Sequence, residues 1–136
     1  MLKLIGLDVG GTKCAVTAGT AEGNKLEILD KRGFATDTNK TADQMMEQFY
    51  EILDDFIPKY GADVIGISCG GPLDSKTGTI VCPPNLPNLH GVKITKLLKE
   101  RYNIPAYLQN DANACALAEW LYGAGEECDN MVFLTF

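Results

Sequence analysis

The segment Leu4-Ile5-Gly6-Leu7-Asp8-Val9-Gly10-Gly11-Thr12-Lys13 constrains the fold more than any other part of the chain. An apolar strand carries one carboxylate to a glycine pair and leaves again as a second strand, Cys14-Ala15-Val16-Thr17-Ala18. Adjacent residues without a Cβ can turn with φ > 0 and bring backbone N–H groups close to an anion, so Gly10 and Gly11 have the form of a phosphate-gripping turn. Thr12 and Lys13 add a hydroxyl and a cation at its tip. Asp8, at the end of a buried strand, would sit beside bound phosphates, placed to hold Mg²⁺ through water. The same residues also serve a plain β-hairpin in which Gly-Gly makes the turn and Asp8 caps it. Neither common nucleotide motif applies: no four-residue spacer leads to Gly-Lys-Ser/Thr, and the segment after the glycines is strand-like rather than helical.

The rest of the chain extends this start into an α/β domain. Lys25 to Ala35, with Leu26, Ile28 and Leu29, reads as a third strand, which makes an antiparallel meander. Thr41-Ala42-Asp43-Gln44 has capping-box form. Met45, Phe49, Ile52 and Phe56 then recur at helical spacing, with Met46, Leu53 and Ile57 widening the stripe and Pro58 and Gly61 ending the helix. Ala62 to Ser68 is an apolar run after a helix, the pattern of a buried parallel strand. The stretch from Cys69 to Gly91, rich in Pro, Asn and Gly, reads as a loop with a small hairpin around Thr79-Ile80-Val81. Ile94 to Arg101 is a short amphipathic helix, Ile104 to Gln109 a strand, and Ala112 to Tyr122 a helix stopped by Gly123. Met131 to Phe136 reads as one more strand. The order βββαβαβα predicts a mixed sheet with helices on both faces and a site at the strand carboxyl ends.

Composition narrows the function classes. The 136 residues fit one domain, and 46% hydrophobic with 22% charged residues is the balance of a soluble globular protein. A formal charge of −6 without a basic face argues against nucleic acid as the partner. Five cysteines, at positions 14, 69, 82, 115 and 128, form no Cys-x-x-Cys pair, and His90 is the single histidine, so no metal site is expected. They read as reduced thiols, most of them buried, in a cytoplasmic protein. Asp8 interrupts the opening apolar residues before a signal-peptide core could form, and no stretch approaches a membrane span.

Asn110-Asp111-Ala112-Asn113 places two polar side chains where a buried strand turns into a helix. One of them is explained as an N-cap, but a cap does not account for the cluster. The functional reading makes Asp111 the group that orients a substrate hydroxyl and takes its proton during phosphoryl transfer. A carboxylate is a weak base, yet in a loose phosphoryl-transfer transition state orienting the hydroxyl matters more than early proton removal. Asn110, with donor and acceptor, suits a neighbouring hydroxyl of a polyol.

Asp8-Val9-Gly10-Gly11-Thr12-Lys13, Gly70-Gly71-Pro72-Leu73-Asp74, Pro84-Asn85-Leu86-Pro87 and Asn110-Asp111-Ala112-Asn113 occur in the order seen in ROK-family sugar kinases, which the chain resembles over nearly its whole length. The resemblance extends into Ala118-Glu119 and Gly123-Ala124-Gly125. It implies an actin-like, ribonuclease-H-like ATPase lobe. It also implies that Asp8, Gly10, Gly11, Thr12 and Lys13 form the first phosphate loop for ATP with Mg²⁺, that Asp111 is the catalytic base, and that Gly70, Gly71, Asn85 and Asn110 line a sugar pocket. Glu119 matches a family glutamate and is expected to be structural. Such kinases have two lobes. The resemblance therefore implies an N-terminal lobe over residues 1–130, with 131–136 as the first strand of a C-terminal lobe that would carry the second phosphate loop, the adenosine pocket and the family's zinc site. The implied partners are a small sugar and a nucleotide, with a homodimer possible through an exposed strand edge.

Two other readings stay open. A ROK-type transcriptional regulator would use the lobe to sense sugar, but would carry a winged helix-turn-helix ahead of it, where Asp8 here follows the start almost at once. A different ATPase of the same superfold would keep the hairpin without Asn85 and Asn110-Asp111. The isolated lobe is expected to be inactive, because closure of two lobes expels water and aligns the reacting groups.

Overall fold

The computed structural model describes every residue from Met1 to Phe136. In chain order it contains β1 (Leu2–Val9), β2 (Lys13–Glu22), β3 (Lys25–Ala35), α1 (Ala42–Tyr60), β4 (Val64–Cys69), a small hairpin of β5 (Leu73–Asp74) and β6 (Thr79–Ile80), a 3-10 turn at Pro87–Leu89, α2 (Ile94–Tyr102), β7 (Ala106–Asn110) and α3 (Asp111–Tyr122). Five strands form one mixed sheet in the order β3-β2-β1-β4-β7. The meander β1–β2–β3 is antiparallel, and β1, β4 and β7 run parallel.

Strand alternation decides which face becomes the core. Ile5, Leu7 and Val9 are buried on one side of β1, Ile65, Ile67 and Cys69 follow on β4, and Ala106 and Leu108 on β7. That face is covered by α1 and α2, whose Phe49, Leu53, Phe56, Ile94 and Leu98 are fully buried against it. The capping box predicted for α1 forms in full: Thr41 Oγ1 accepts from the Gln44 N–H at 3.2 Å, and Gln44 Oε1 accepts from the Thr41 N–H at 3.0 Å. Tyr102 Oη donates to Asp54 Oδ1 at 2.8 Å and Arg101 pairs with the same carboxylate at 3.1 Å, so the end of α2 is pinned to α1.

The second face is barer. α3 leaves β7 and passes over it, with Ala114 lining a shallow, mainly apolar hollow together with Gly6, Thr17, Gly66 and Tyr107. None of the residues of α3 is buried. Helices thus lie on both faces, but only one face carries a packed core. No helix is long and apolar enough to cross a membrane.

Four sequence readings need correction. Pro58 does not end α1 but sits inside its last turn, where only the Asp54 carbonyl loses its helical donor, and Gly61 alone caps the end with φ +77°. α3 begins at Asp111 rather than Ala112, and of the two candidate caps Asn110 is the one that caps it. Met131 to Phe136, read as a strand, has no strand structure and joins no strand of the sheet. Only Cys14 and Cys69 are buried; Cys82, Cys115 and Cys128 lie in a loop, on α3 and after it, and are exposed.

β3 forms the sheet edge, and its Leu26, Ile28 and Leu29 are solvated, with Ile28 66% exposed. The contrast with α1 sets an expectation for chemical denaturation. Leu53→Ala should lower stability by about 2–5 kcal/mol, the usual range for emptying a buried site. Ile28→Ala should shift it by no more than about 0.5 kcal/mol.

Candidate functional site

The parallel register places three strand ends side by side. Asp8 on β1 pairs with Ser68 on β4, and Val9, Cys69 and Asn110 form the next row across β1, β4 and β7. The first turn of α3, the Gly70-Gly71 turn and the β1–β2 hairpin tip all leave from this row.

At the hairpin tip, Gly10 and Gly11 do not adopt positive φ, contrary to the reason given for them by sequence. Their need for hydrogen at Cα comes from close approach instead. A methyl on Gly10 would lie 2.5 Å from the Lys13 carbonyl oxygen, and one on Gly11 would lie 2.7 Å from Asn85 Nδ2 and 2.9 Å from Asn85 Cβ. Gly11 is thus the floor on which Asn85 rests. The backbone N–H groups of Gly10, Gly11 and Thr12 donate to no other group of the protein, which leaves three consecutive donors free at the tip. Asp8 and Lys13 are exposed and enter no ion pair within the chain.

Asn110 Oδ1 accepts from the N–H groups of Ala112 at 3.0 Å and Asn113 at 3.3 Å. Its cap uses the oxygen and leaves the amide nitrogen toward the Gly71 turn, where a methyl on Gly71 would lie 3.4 Å from it. Asn113 Nδ2 donates to Gln109 Oε1 at 3.4 Å, a contact within its own helix start, so Asn113 is structural. Asp111 Oδ1 accepts from the Ala112 N–H at 2.8 Å. Its other oxygen is turned to the Gly70 side: a methyl on Gly70 would sit 3.9 Å from Asp111 Oδ2 and 4.0 Å from Asn85 Oδ1. Four of the residues read from sequence, Gly11, Gly70, Asn85 and Asp111, therefore meet around one point, with Asn110 beside it at the Gly71 turn.

Beneath that point, burial pushes the Cys69 thiol up to about 12, with the Asp111 carboxylate as the next cause, and burial raises the Cys14 thiol as well. Both stay protonated at neutral pH, which leaves them poor nucleophiles.

Asp8 and Asp111 line one open cleft of ≈ 460 Å³ together with Ser68, Ala112, Cys115, Phe133 and Thr135. Ser68, Phe133 and Thr135 were not singled out by sequence. Ser68 ends a buried strand just before Cys69-Gly70, a polar position that could have drawn notice, whereas its place beside Asp8 depends on strand register. His90 takes no part: its Nε2 lies 3.0 Å from the Pro83 carbonyl oxygen and braces the loop that carries Asn85. Glu119 is structural, as expected, since its Oε2 accepts from the Ala124 N–H at 2.9 Å and closes the turn after α3.

A family model described as the ROK family matches residues 4–136. A glucokinase of Thermotoga maritima is 34% identical over 134 residues, covering 98% of this chain and 41% of that protein. A putative xylose repressor of a Caldicellulosiruptor species is 26% identical, covering 97% of this chain and 33% of the repressor. The solved structure of a ROK family glucokinase from Streptomyces griseus, in complex with glucose and AMPPNP, superposes with a TM-score of 0.78 at 28% identity, covering 92% of this chain and 38% of that one. The chain spans well under half the length of these relatives.

The local packing makes two expectations. Gly11→Ala should cost about 1–3 kcal/mol by overpacking against Asn85, and most of that loss should return in the Gly11→Ala/Asn85→Gly double variant in a denaturation cycle. An aromatic disulfide reagent at pH 8 should label Cys82, Cys115 and Cys128 in the native protein, and Cys14 and Cys69 only after unfolding.

Proposed function

The chain belongs to the ROK family, and on that premise we propose that it is the N-terminal lobe of an ATP-dependent kinase that phosphorylates a hydroxyl of glucose or a related hexose or N-acetylhexosamine. The observation that carries this reading is the shared cleft of Asp8 and Asp111, with Gly11, Gly70, Asn85 and Asn110 gathered at its side. One carboxylate lies at the root of a hairpin with free N–H donors. The other begins a helix beside uncharged donors and acceptors. That is an arrangement for an anion on one side and a polyol on the other.

In this reading Asp111 accepts a hydrogen bond from the acceptor hydroxyl and receives its proton as the oxygen bonds to the γ-phosphorus and the bond to the β,γ-bridging oxygen breaks, releasing ADP. Asn110 and Asn85 hold neighbouring hydroxyls and so fix which oxygen faces Asp111. The free N–H groups of Gly10, Gly11 and Thr12, with the Lys13 ammonium, receive phosphate oxygens. Asp8 fits a Mg²⁺ carried by the nucleotide, because its carboxylate is exposed in the cleft and unpaired; the ion would neutralise phosphate charge there. The Streptomyces griseus relative holds glucose and AMPPNP together, which supports the same pair of ligands for this chain. Free thiols are consistent with a cytoplasmic setting.

A sensing role without turnover is the second reading, favoured by the similarity to the putative xylose repressor over 97% of this chain. A coupled ADP-release assay separates the two, run on the whole encoded protein and on the 136-residue chain with a panel of hexoses and N-acetylhexosamines. Sugar-dependent turnover in the whole protein, lowered about 10²–10⁴-fold by Asp111→Asn with sugar affinity retained in calorimetry, is the expected result. Sugar binding with no ADP release from the whole protein would replace the kinase by the sensor.

A further inference from the structure

One residue outside every motif holds the hairpin tip in place. Thr36 follows β3 and reaches across to the turn between β1 and β2. Its Oγ1 donates to the Gly10 carbonyl oxygen at 2.7 Å, and its backbone N–H donates to the Thr12 carbonyl oxygen at 2.9 Å. Cys14 Sγ lies 3.3 Å from Thr36 Oγ1 and 3.6 Å from the Gly10 carbonyl, so the buried thiol donates into the same cluster. Since the Thr36 proton is committed to Gly10, its oxygen remains an acceptor for the thiol.

These bonds act on peptide planes. In a trans peptide the carbonyl and the following N–H point in opposite directions. Pinning the Gly10 carbonyl toward Thr36 therefore turns the Gly11 N–H away from β3. Gly11 is the residue against which Asn85 rests, and its N–H is one of the three that no protein acceptor claims. A glycine pair without this clasp would sample many orientations, and a free donor array is useful to an anion only when its direction is set beforehand.

The geometry points to Thr36 as the positioning residue of the phosphate loop: its hydroxyl holds the Gly10–Gly11 peptide plane, and with it the free Gly11 N–H, in the orientation that receives the nucleotide's phosphates. This rests on the kinase reading above. Thr36 itself touches neither ligand in that arrangement, and its effect passes through Gly10.

The test compares wild type, Thr36→Val and Thr36→Ser in the whole encoded protein. Thr36→Val keeps shape and removes the hydroxyl, and Thr36→Ala, which removes the same bond without an added methyl, serves where the valine variant does not fold. The expected result is a rise in KM for ATP of about tenfold, the size of one lost hydrogen bond to a carbonyl, with sugar affinity unchanged within about twofold. Amide exchange should quicken at Thr36, whose N–H is bonded to the Thr12 carbonyl, and nowhere in the core, and Thr36→Ser should restore both properties. A purely structural clasp would instead lower overall stability and leave the KM for ATP alone. Wild-type KM for ATP and wild-type exchange in folded Thr36→Val overturn the inference while the kinase reading stands. Absence of both AMPPNP binding and turnover in the wild type overturns the kinase reading, and the nucleotide role of Thr36 falls with it.

Discussion

The in-register parallel alignment of β1, β4 and β7 is the constraint on which the rest of the molecule depends. Pairing Val9 with Cys69 and Cys69 with Asn110 brings three chain segments to one line, and each then departs as a loop, turn or helix that carries polar groups. A one-residue slip on any of these strands would exchange its two faces. It would bury Asp8 or Ser68 among Phe49, Leu53 and Leu98 and expose Leu7 or Ile67. Because charge among apolar side chains costs far more than the ladder can recover, the core enforces the register, and the register assembles the site.

The site itself is built on small distances rather than on unusual backbone. Gly10 and Gly11 serve because a Cβ would collide with the Lys13 carbonyl or with Asn85, and the hairpin, the Asn85 loop and the Gly70 turn can therefore come within van der Waals contact. Asn110 divides its amide between two tasks, the oxygen on the helix cap and the nitrogen toward the Gly71 turn. A carboxylate in its place could cap the helix equally well but would have no donor left for a hydroxyl. The asparagine amide thus caps the helix and still keeps a donor beside the Gly71 turn with one side chain.

Much of this was legible in the sequence. The order of elements followed from period-2 and period-3.6 patterns, and the α1 cap from Thr41 and Gln44. The bounds of β3 were marked by turn residues on either side. What the chain order could not supply was anything set by strand register or sheet position. Ser68 stands beside Asp8 only because β4 pairs with β1 at that offset. Ile28 and Leu29 look like core but are solvated because β3 is an edge. Thr36 resembles any polar residue after a strand, and its grip on Gly10 appears only when the β2–β3 ladder is closed. Met131 to Phe136 has the composition of a strand, but composition alone provides no partner for its backbone. The site residues lay in recognisable clusters, and their convergence on one point required three-dimensional contact.

α3 is fastened unequally along its length. Its first turn is held by the Asn110 cap and by β7, while Leu117, Trp120 and Leu121 further along stay solvated and none of its residues is buried. Its last turn is tied only to the segment that follows it, through Trp120 Nε1 on the Cys128 carbonyl and Glu119 on the Ala124 N–H. The helix that begins at Asp111 in the cleft therefore ends in an apolar surface of Leu117, Trp120 and Leu121 that the packing of this chain leaves uncovered.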